Sequence, residues 1–182
     1  VIEKGGFPPI EARGIAAFRD EIVAINPGLA AGIDAIQSFD DVKLLSVALD
    51  RLTRWSRPGL LAIGDAAHAM SPIGGVGINL AVQDAVAAAN VLAAPLAAGA
   101  DPDSLLARVQ ERRWKPTTRM QGLQRFAHQN VIEPMLRGEI TRVPLAIRLL
   151  NHIPLLRRIP GRVLGLGFGR QHVQSPLAKE FQ

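Results

Sequence analysis

The spacing of apolar residues changes along the chain, and each change predicts an element. Ile15, Phe18, Ile22 and Ile25 recur at helical intervals. They predict an amphipathic helix over Ile10–Ile25, set between the breakers Pro8-Pro9 and Asn26-Pro27-Gly28. Val42–Leu49 is rich in Val and Leu and predicts a strand; its Lys43 either lies near a site or points outward from an edge. The run Leu60-Leu61-Ala62-Ile63 follows Pro58-Gly59 and predicts a short buried parallel strand. From about Ile78 to Ala94 the sequence predicts a helix, its Ala85, Ala87, Ala88 and Ala89 small enough for close approach to a sheet, with Pro95 ending or kinking it. Asp101-Pro102 supplies a cap and a first-turn proline for a helix to about Lys115, where Pro116 breaks or bends it. Leu123, Phe126, Ala127 and Val131 predict a further helix over about Thr117–Leu136. The tail Val143–Phe168 mixes Leu and Ile with Arg148, Arg157, Arg158 and Arg162 and is cut by Pro144, Pro154 and Pro160. It is too charged to span a bilayer. It suits an interfacial amphipathic segment, or packing against the rest of the protein or a second subunit. Within it, Val163–Gly169 fits a buried turn or a dimer contact.

The junction between the predicted strand at Leu60 and the alanine-rich helix carries the chemistry. It reads Gly64-Asp65-Ala66-Ala67-His68-Ala69-Met70-Ser71-Pro72-Ile73-Gly74-Gly75-Val76-Gly77-Ile78-Asn79. Ligands of open α/β sheets sit beyond the carboxyl ends of strands, and Asp65 falls at such an end. Gly74, Gly75 and Gly77 let the backbone approach a ligand with no Cβ between. The helix start near Ile78 offers unpaired amides and a positive dipole end. Asp65 is otherwise a cap or turn residue. His68, with no carboxylate at motif spacing and no second histidine beside it, is expected to be structural. Trp55 and His128 are expected to be packing residues, His128 also fitting the surface, and Asp84 to cap or pair locally.

Gly-Asp-Ala-Ala-His, then Pro, then Gly-Gly-x-Gly-x-Asn resembles the second flavin fingerprint of the FAD-dependent aromatic-ring hydroxylases, the family of para-hydroxybenzoate hydroxylase. The likeness is close from Arg57 to about Leu96, and Asp41–Leu45 with Asp50-Arg51-Leu52 is similar to the segment before that fingerprint. The resemblance implies that Gly64, Asp65, Pro72, Gly74, Gly75, Gly77, Ile78 and Asn79 bind FAD. Asp65 would bond the ribityl hydroxyls, Pro72 would lie beside the reactive face of the flavin ring, and the Gly77–Asn79 amides would face N1 and O2. It also implies NADH or NADPH as reductant, oxygen activation and hydroxylation of an aromatic or similar small molecule. No catalytic residue is assigned. The family's opening Gly-x-Gly-x-x-Gly turn is absent from Val1–Gly6, and Gly165-x-Gly167-x-Gly169 has the wrong spacing. The chain is therefore expected to be the C-terminal portion of a longer flavoprotein whose N-terminal half holds the adenine side and most of the substrate pocket. The expected class is α/β: part of a Rossmann-like FAD-binding domain over residues 53–98, a substrate-domain remnant over 1–52 and a helical extension over 99–182. Halogenases and reductases share this fingerprint and remain alternatives.

Composition narrows this further. The chain has 182 residues, 48% of them hydrophobic and 20% charged, which fits a folded domain. It has no cysteine, which excludes disulfides and thiolate metal sites, and no metal site is expected. It has no tyrosine either, so a tyrosine relay to a phenolic substrate cannot come from this segment. Residues 1–104 hold seven basic and twelve acidic side chains, net −5, whereas 105–182 hold fourteen and four, net +10. Such asymmetry raises a docking role on an anionic membrane or acidic partner, or contact with an acidic missing half. Nucleic acid is not expected, because no binding motif accompanies the basic run. Val1–Ile10 lacks the basic and apolar regions of a signal peptide. A cytoplasmic location is expected, with a peripheral membrane location and a homodimer left open.

Overall fold

The computed structural model describes residues 2–3, 5–139 and 154–174. The part of the predicted tail over 140–153, with Pro144 and Arg148, lies outside them. The chain divides into two compact units, Val1–Ser46 and Val47–Gln182.

In the first unit the single helix expected over Ile10–Ile25 is two: α1, Phe7–Glu11, and α2, Gly14–Ile25. Gly14 has φ +83°, a conformation that a side chain rarely tolerates, and it separates them. Ile25 is 86% exposed and does not join the apolar face. Phe39 instead gathers the unit, with its ring against Phe7 at 5.8 Å and Phe18 at 5.5 Å. It starts a short 3-10 turn, Phe39–Asp41, with Ser38 at its cap. The Asp41 carboxylate accepts from the Ser38 and Gln37 amides, which hold its pKa below the usual aspartate range. Val42–Leu49 forms no strand. Leu44, Leu45 and Val47 are exposed, and Lys43 Nζ donates to the Asp40 carbonyl at 2.6 Å, which takes it to a local turn. A strand needs a partner ladder for its backbone groups, and no ladder forms on this stretch.

The second unit begins with a correction to the expected parallel strand. Ser56–Arg57 (β1) and Leu60–Leu61 (β2) pair antiparallel, Ser56 opposite Leu61. Pro58 and Gly59 form the reversal, with Gly59 at φ +71°, the values a tight Pro-Gly turn requires. The two breakers thus close a hairpin instead of preceding a buried strand, and Leu60 is 61% exposed. These are the only named strands among the described residues, so no parallel sheet is formed by them.

Two long helices make the body of this unit. Helix α3 spans Val76–Ala97 and α4 spans Asp103–Ala127. The alanines of α3 therefore permit close approach to a helix, not to a sheet. Pro95 does not stop α3; it lacks an amide only in the last turn. Gly99, at φ +70°, ends it, with its amide bonded to the Leu96 carbonyl and that of Ala100 to the Pro95 carbonyl. Nor does Pro116 break α4. Its ring is buried in the helix interior, where its missing N–H costs one bond and packing keeps the helix intact. After Ala127 the chain makes one π-helical turn, His128–Ile132, and a short α5, Glu133–Leu136, in place of the single helix expected to Leu136.

Two apolar clusters join α3 to α4. One is Val76, Leu80 and Met120, with Met70, Leu164 and Phe168 against it; the other is Ala87, Val91 and Val109, with Leu61 and Leu105 against it. Leu164 comes from α6, Pro154–Leu166. The turn after α6 is half-exposed, not buried, and it follows α3 through backbone carbonyls. Asn79 Nδ2 donates to Gly165 at 3.0 Å, Gln83 Nε2 to Leu166 at 3.1 Å and Asn90 Nδ2 to His172 at 2.7 Å. With 22 residues and mean hydropathy 1.5, α3 is long and apolar enough to cross a membrane. It nevertheless carries a fully buried aspartate, Asp84, in its middle.

Candidate functional site

The segment from Gly64 to Asn79 turns back on itself, so that its two ends meet. A 3-10 turn, Gly64–Ala66, places Asp65, and the loop then returns to the first turn of α3. Gly64 is at φ +58°, and a Cβ there would stand 3.0 Å from Ala81 Cβ, so the loop's first residue must be glycine. At the other end Gly75, at φ +61°, opens α3, and no side chain caps that helix. A Cβ on Gly77 would lie 3.8 Å from Asp65 Oδ1. The carboxylate and the uncapped helix start therefore share one corner. Asp65, Pro72, Gly74, Gly75 and Ile78 are exposed, Ile78 at 77%. Of the other three expected residues Gly64 is buried and Gly77 and Asn79 are half-buried, the Asn79 side chain being bonded to the Gly165 carbonyl. Gly74, at φ +83°, backs onto Leu164, whose Cδ2 would be 3.3 Å from an added Cβ.

Behind this exposed lip lies a buried polar layer that the sequence reading missed. Asp84, in the middle of α3, is fully buried. Its Oδ2 is 2.6 Å from His68 Nε2 and accepts from the Gly64 amide at 3.0 Å, while Oδ1 accepts from Arg113 Nε at 2.7 Å. His68 was expected to have no carboxylate partner; α3 brings Asp84 to it across sixteen positions. His68 is buried, and the Trp55 ring lies 5.1 Å from its ring, tilted at 43°. Burial raises the pKa of Asp84, but the bonds from His68, Arg113 and the Gly64 amide outweigh it and hold the carboxyl below the usual aspartate range. Buried charges are stable only when paired and bonded in this way.

Helix α4 grips the rest of the loop. Gln121 Nε2 donates to the Ala69 carbonyl at 3.1 Å and to Asp50 at 2.6 Å, while its Oε1 accepts from Arg51 at 2.7 Å. Gln124 donates to the Ser71 carbonyl at 2.8 Å and the Ile73 carbonyl at 3.0 Å, and accepts from the Ser71 amide at 3.1 Å. His128 Nε2 is 2.8 Å from Ser71 Oγ, so this histidine supports the loop and is not a bare surface residue. The signal for this layer was present: Arg113, Thr117, Gln121, Gln124 and His128 recur every three or four residues. They mark a polar stripe along α4 and just past its end, beside the apolar Leu106, Val109 and Met120, but the stripe does not say what it meets.

The arrangement sets a hydrogen-bond acceptor beside an uncapped helix start. The lip has no Cβ at three positions, a carboxylate to accept hydroxyl protons and uncapped amides to face an oxyanion. Comparison with known proteins agrees. The family model described as FAD binding domain matches residues 4–122. The chain is 37% identical over 183 residues to 6-methylpretetramide 4-monooxygenase of Streptomyces rimosus, covering 96% of this chain and 42% of that enzyme. It is 36% identical over 73 residues to an uncharacterized protein of a Synechocystis strain, covering 40% of this chain and 18% of that one. The chain thus spans less than half the length of either curated relative.

Proposed function

The chain belongs to the FAD-binding-domain family of the FAD-dependent aromatic-ring hydroxylases, and from that premise we propose that it forms the ribityl and flavin-ring side of a monooxygenase site. One observation carries the reading: Asp65 Oδ1 and the uncapped start of α3 converge at Gly77, within 3.8 Å of where its Cβ would be. Asp65 accepts hydrogen bonds from the ribityl hydroxyls. The amides of Gly77, Ile78 and Asn79 face the N1 and O2 edge, where the helix dipole stabilises the negative charge of the reduced ring. Pro72 covers one face of the ring and presents no N–H there. Gly74 and Gly75 keep the approach open.

Bound FAD supplies the electron transfer from NADH or NADPH and the oxygen activation; the protein supplies position and charge. The substrate class proposed is an aromatic or similar small molecule, and the Streptomyces rimosus relative is itself named a monooxygenase. Residues 53–98 form the flavin segment, 1–52 belong with a substrate domain, and 99–182 form a helical extension. The remaining flavin contacts come from further sequence of a longer, α/β polypeptide of cytoplasmic location.

The test uses the complete polypeptide that carries this sequence. It should purify yellow, and Asp65→Ala should raise its dissociation constant for FAD by about tenfold, the loss of roughly one charge-assisted hydrogen bond. Unchanged FAD retention in the variant would remove Asp65 from the site. A second reading, docking on an anionic surface, draws on Arg108, Arg112, Lys115 and Arg119, which form an exposed stripe along α4. It expects binding to phosphatidylserine vesicles that falls with salt; binding indifferent to anionic lipid would dismiss it.

A further inference from the structure

Ser71, Pro72 and Ile73 form the part of the loop that, on the reading above, lies against the flavin ring. Within the loop the segment has one backbone turn bond, from the Gly75 amide to the Pro72 carbonyl at 3.0 Å; Gly74 and Gly75 follow it, both at positive φ, and Pro72 has no amide to offer. The main hold comes from α4. The side-chain amide of Gln124 pairs with Ser71 as a neighbouring strand would, accepting from its N–H and donating to its C=O, and it also donates to Ile73. Gln124 is only 4% exposed and Ser71 only 2%, so water does not compete for these bonds. Ser71 Oγ adds the contact to His128 Nε2 and accepts from the Ile73 amide at 3.3 Å. Gln124 and His128 both lie beyond residue 122, where the family match ends.

We propose that Gln124 is a positioning residue that fixes the backbone on either side of Pro72 and so sets how that proline meets the flavin ring. The proposal rests on the FAD reading. It requires that Gln124 alter the electronic environment of the ring more than the affinity for FAD, because Asp65 and the α3 amides are left untouched. The same helix provides a matched control. Gln110 pairs with backbone in the same manner, accepting from the Trp55 amide at 2.9 Å and donating to the Thr53 carbonyl at 2.9 Å, but it makes no bond to the Ser71–Ile73 segment.

The experiment compares Gln124→Met and Gln110→Met in the complete polypeptide, measuring melting temperature, FAD dissociation constant, visible flavin spectrum and flavin midpoint potential. Both variants are expected to melt earlier. Only Gln124→Met should alter the flavin spectrum and potential, with the FAD dissociation constant changed by less than about tenfold. A Gln124→Met protein with the wild-type spectrum and potential would overturn the proposal, as would equal shifts in Gln110→Met. Should Gln124→Met not fold, Ser71→Ala removes the hydroxyl contacts of the same segment; it should shift the spectrum in a smaller degree, and a wild-type spectrum there overturns the proposal. A colourless wild-type polypeptide that takes up no added FAD would overturn the underlying reading as well, whereas a yellow one with unmoved spectra overturns the positioning role alone.

Discussion

Two aspartates, nineteen positions apart in sequence, define two regions of opposite character. Asp65 sits on the exposed lip with no side chain among the described residues paired to it by hydrogen bond or ion pair. Asp84 sits in the buried layer with three partners. The lip is shaped by what it lacks, Cβ atoms and a helix cap; the layer is shaped by what it contains, bonds that converge on the Asp84 carboxylate from His68, Arg113 and the Gly64 amide, although His68 Nδ1 and Arg113 Nη2 are buried with no hydrogen-bond partner among the described residues. The contrast separates binding from support. On the FAD reading, a residue that meets the ligand can be left exposed at little cost to the fold, whereas a buried charge that supports it needs partners of its own.

The contrast is broken most severely at Asp84. Asp84→Ala leaves Arg113 and His68 buried without their partner and should cost about 3–5 kcal/mol, seen as a lower denaturation midpoint. A cost below about 1 kcal/mol would mean that the layer does not support the fold. The same carboxyl predicts an acid limb. Its folded pKa lies below its unfolded one, so its contribution is present above the unfolded value, about 3.9, and is lost as pH falls through the lower folded value. Asp84→Asn should flatten stability over that acid window. Next comes Gly64→Ala. With φ +58° and Ala81 Cβ at 3.0 Å, it should cost about 2 kcal/mol by thermal or chemical unfolding. The smallest effect on stability belongs to Asp65→Ala, within about 0.5 kcal/mol of wild type, although it weakens FAD binding. A large loss of stability at Asp65 would erase the distinction between the regions.

The lip was legible in sequence because its chemistry is local. Gly64, Asp65, Gly74, Gly75 and Gly77 stand within fourteen residues, and backbone approach needs glycine wherever it occurs. The layer was not, because Asp84 and Arg113 meet His68 only once α3 and α4 have packed. An aspartate inside an alanine-rich helix gives no sign of its partner. Hydrophobic run length misled at Leu60–Ile63, where Pro58-Gly59 decided the pairing direction. Richness in Val and Leu misled at Val42–Leu49, where no ladder forms. The prolines show the same limit: Pro95 was expected to end or kink its helix and Pro116 to break or bend its own, but both lie within helices and end neither.

The stretch after α6 carries a consequence of its own. Asn79, Gln83, Asn90 and Arg113 grasp it by carbonyl oxygens, at Gly165, Leu166, His172 and Gly169. Such a grip is blind to side-chain identity, so most residues there are free to drift except where glycine geometry intervenes, as at Gly169, whose added Cβ would stand 2.6 Å from the Pro116 ring. Severing the peptide ahead of Gly165 is another matter: one protease cut would loosen at once the acceptors of three side-chain amides and one of those of the buried Arg113 guanidinium. The strap is thus tolerant of mutation and intolerant of cleavage.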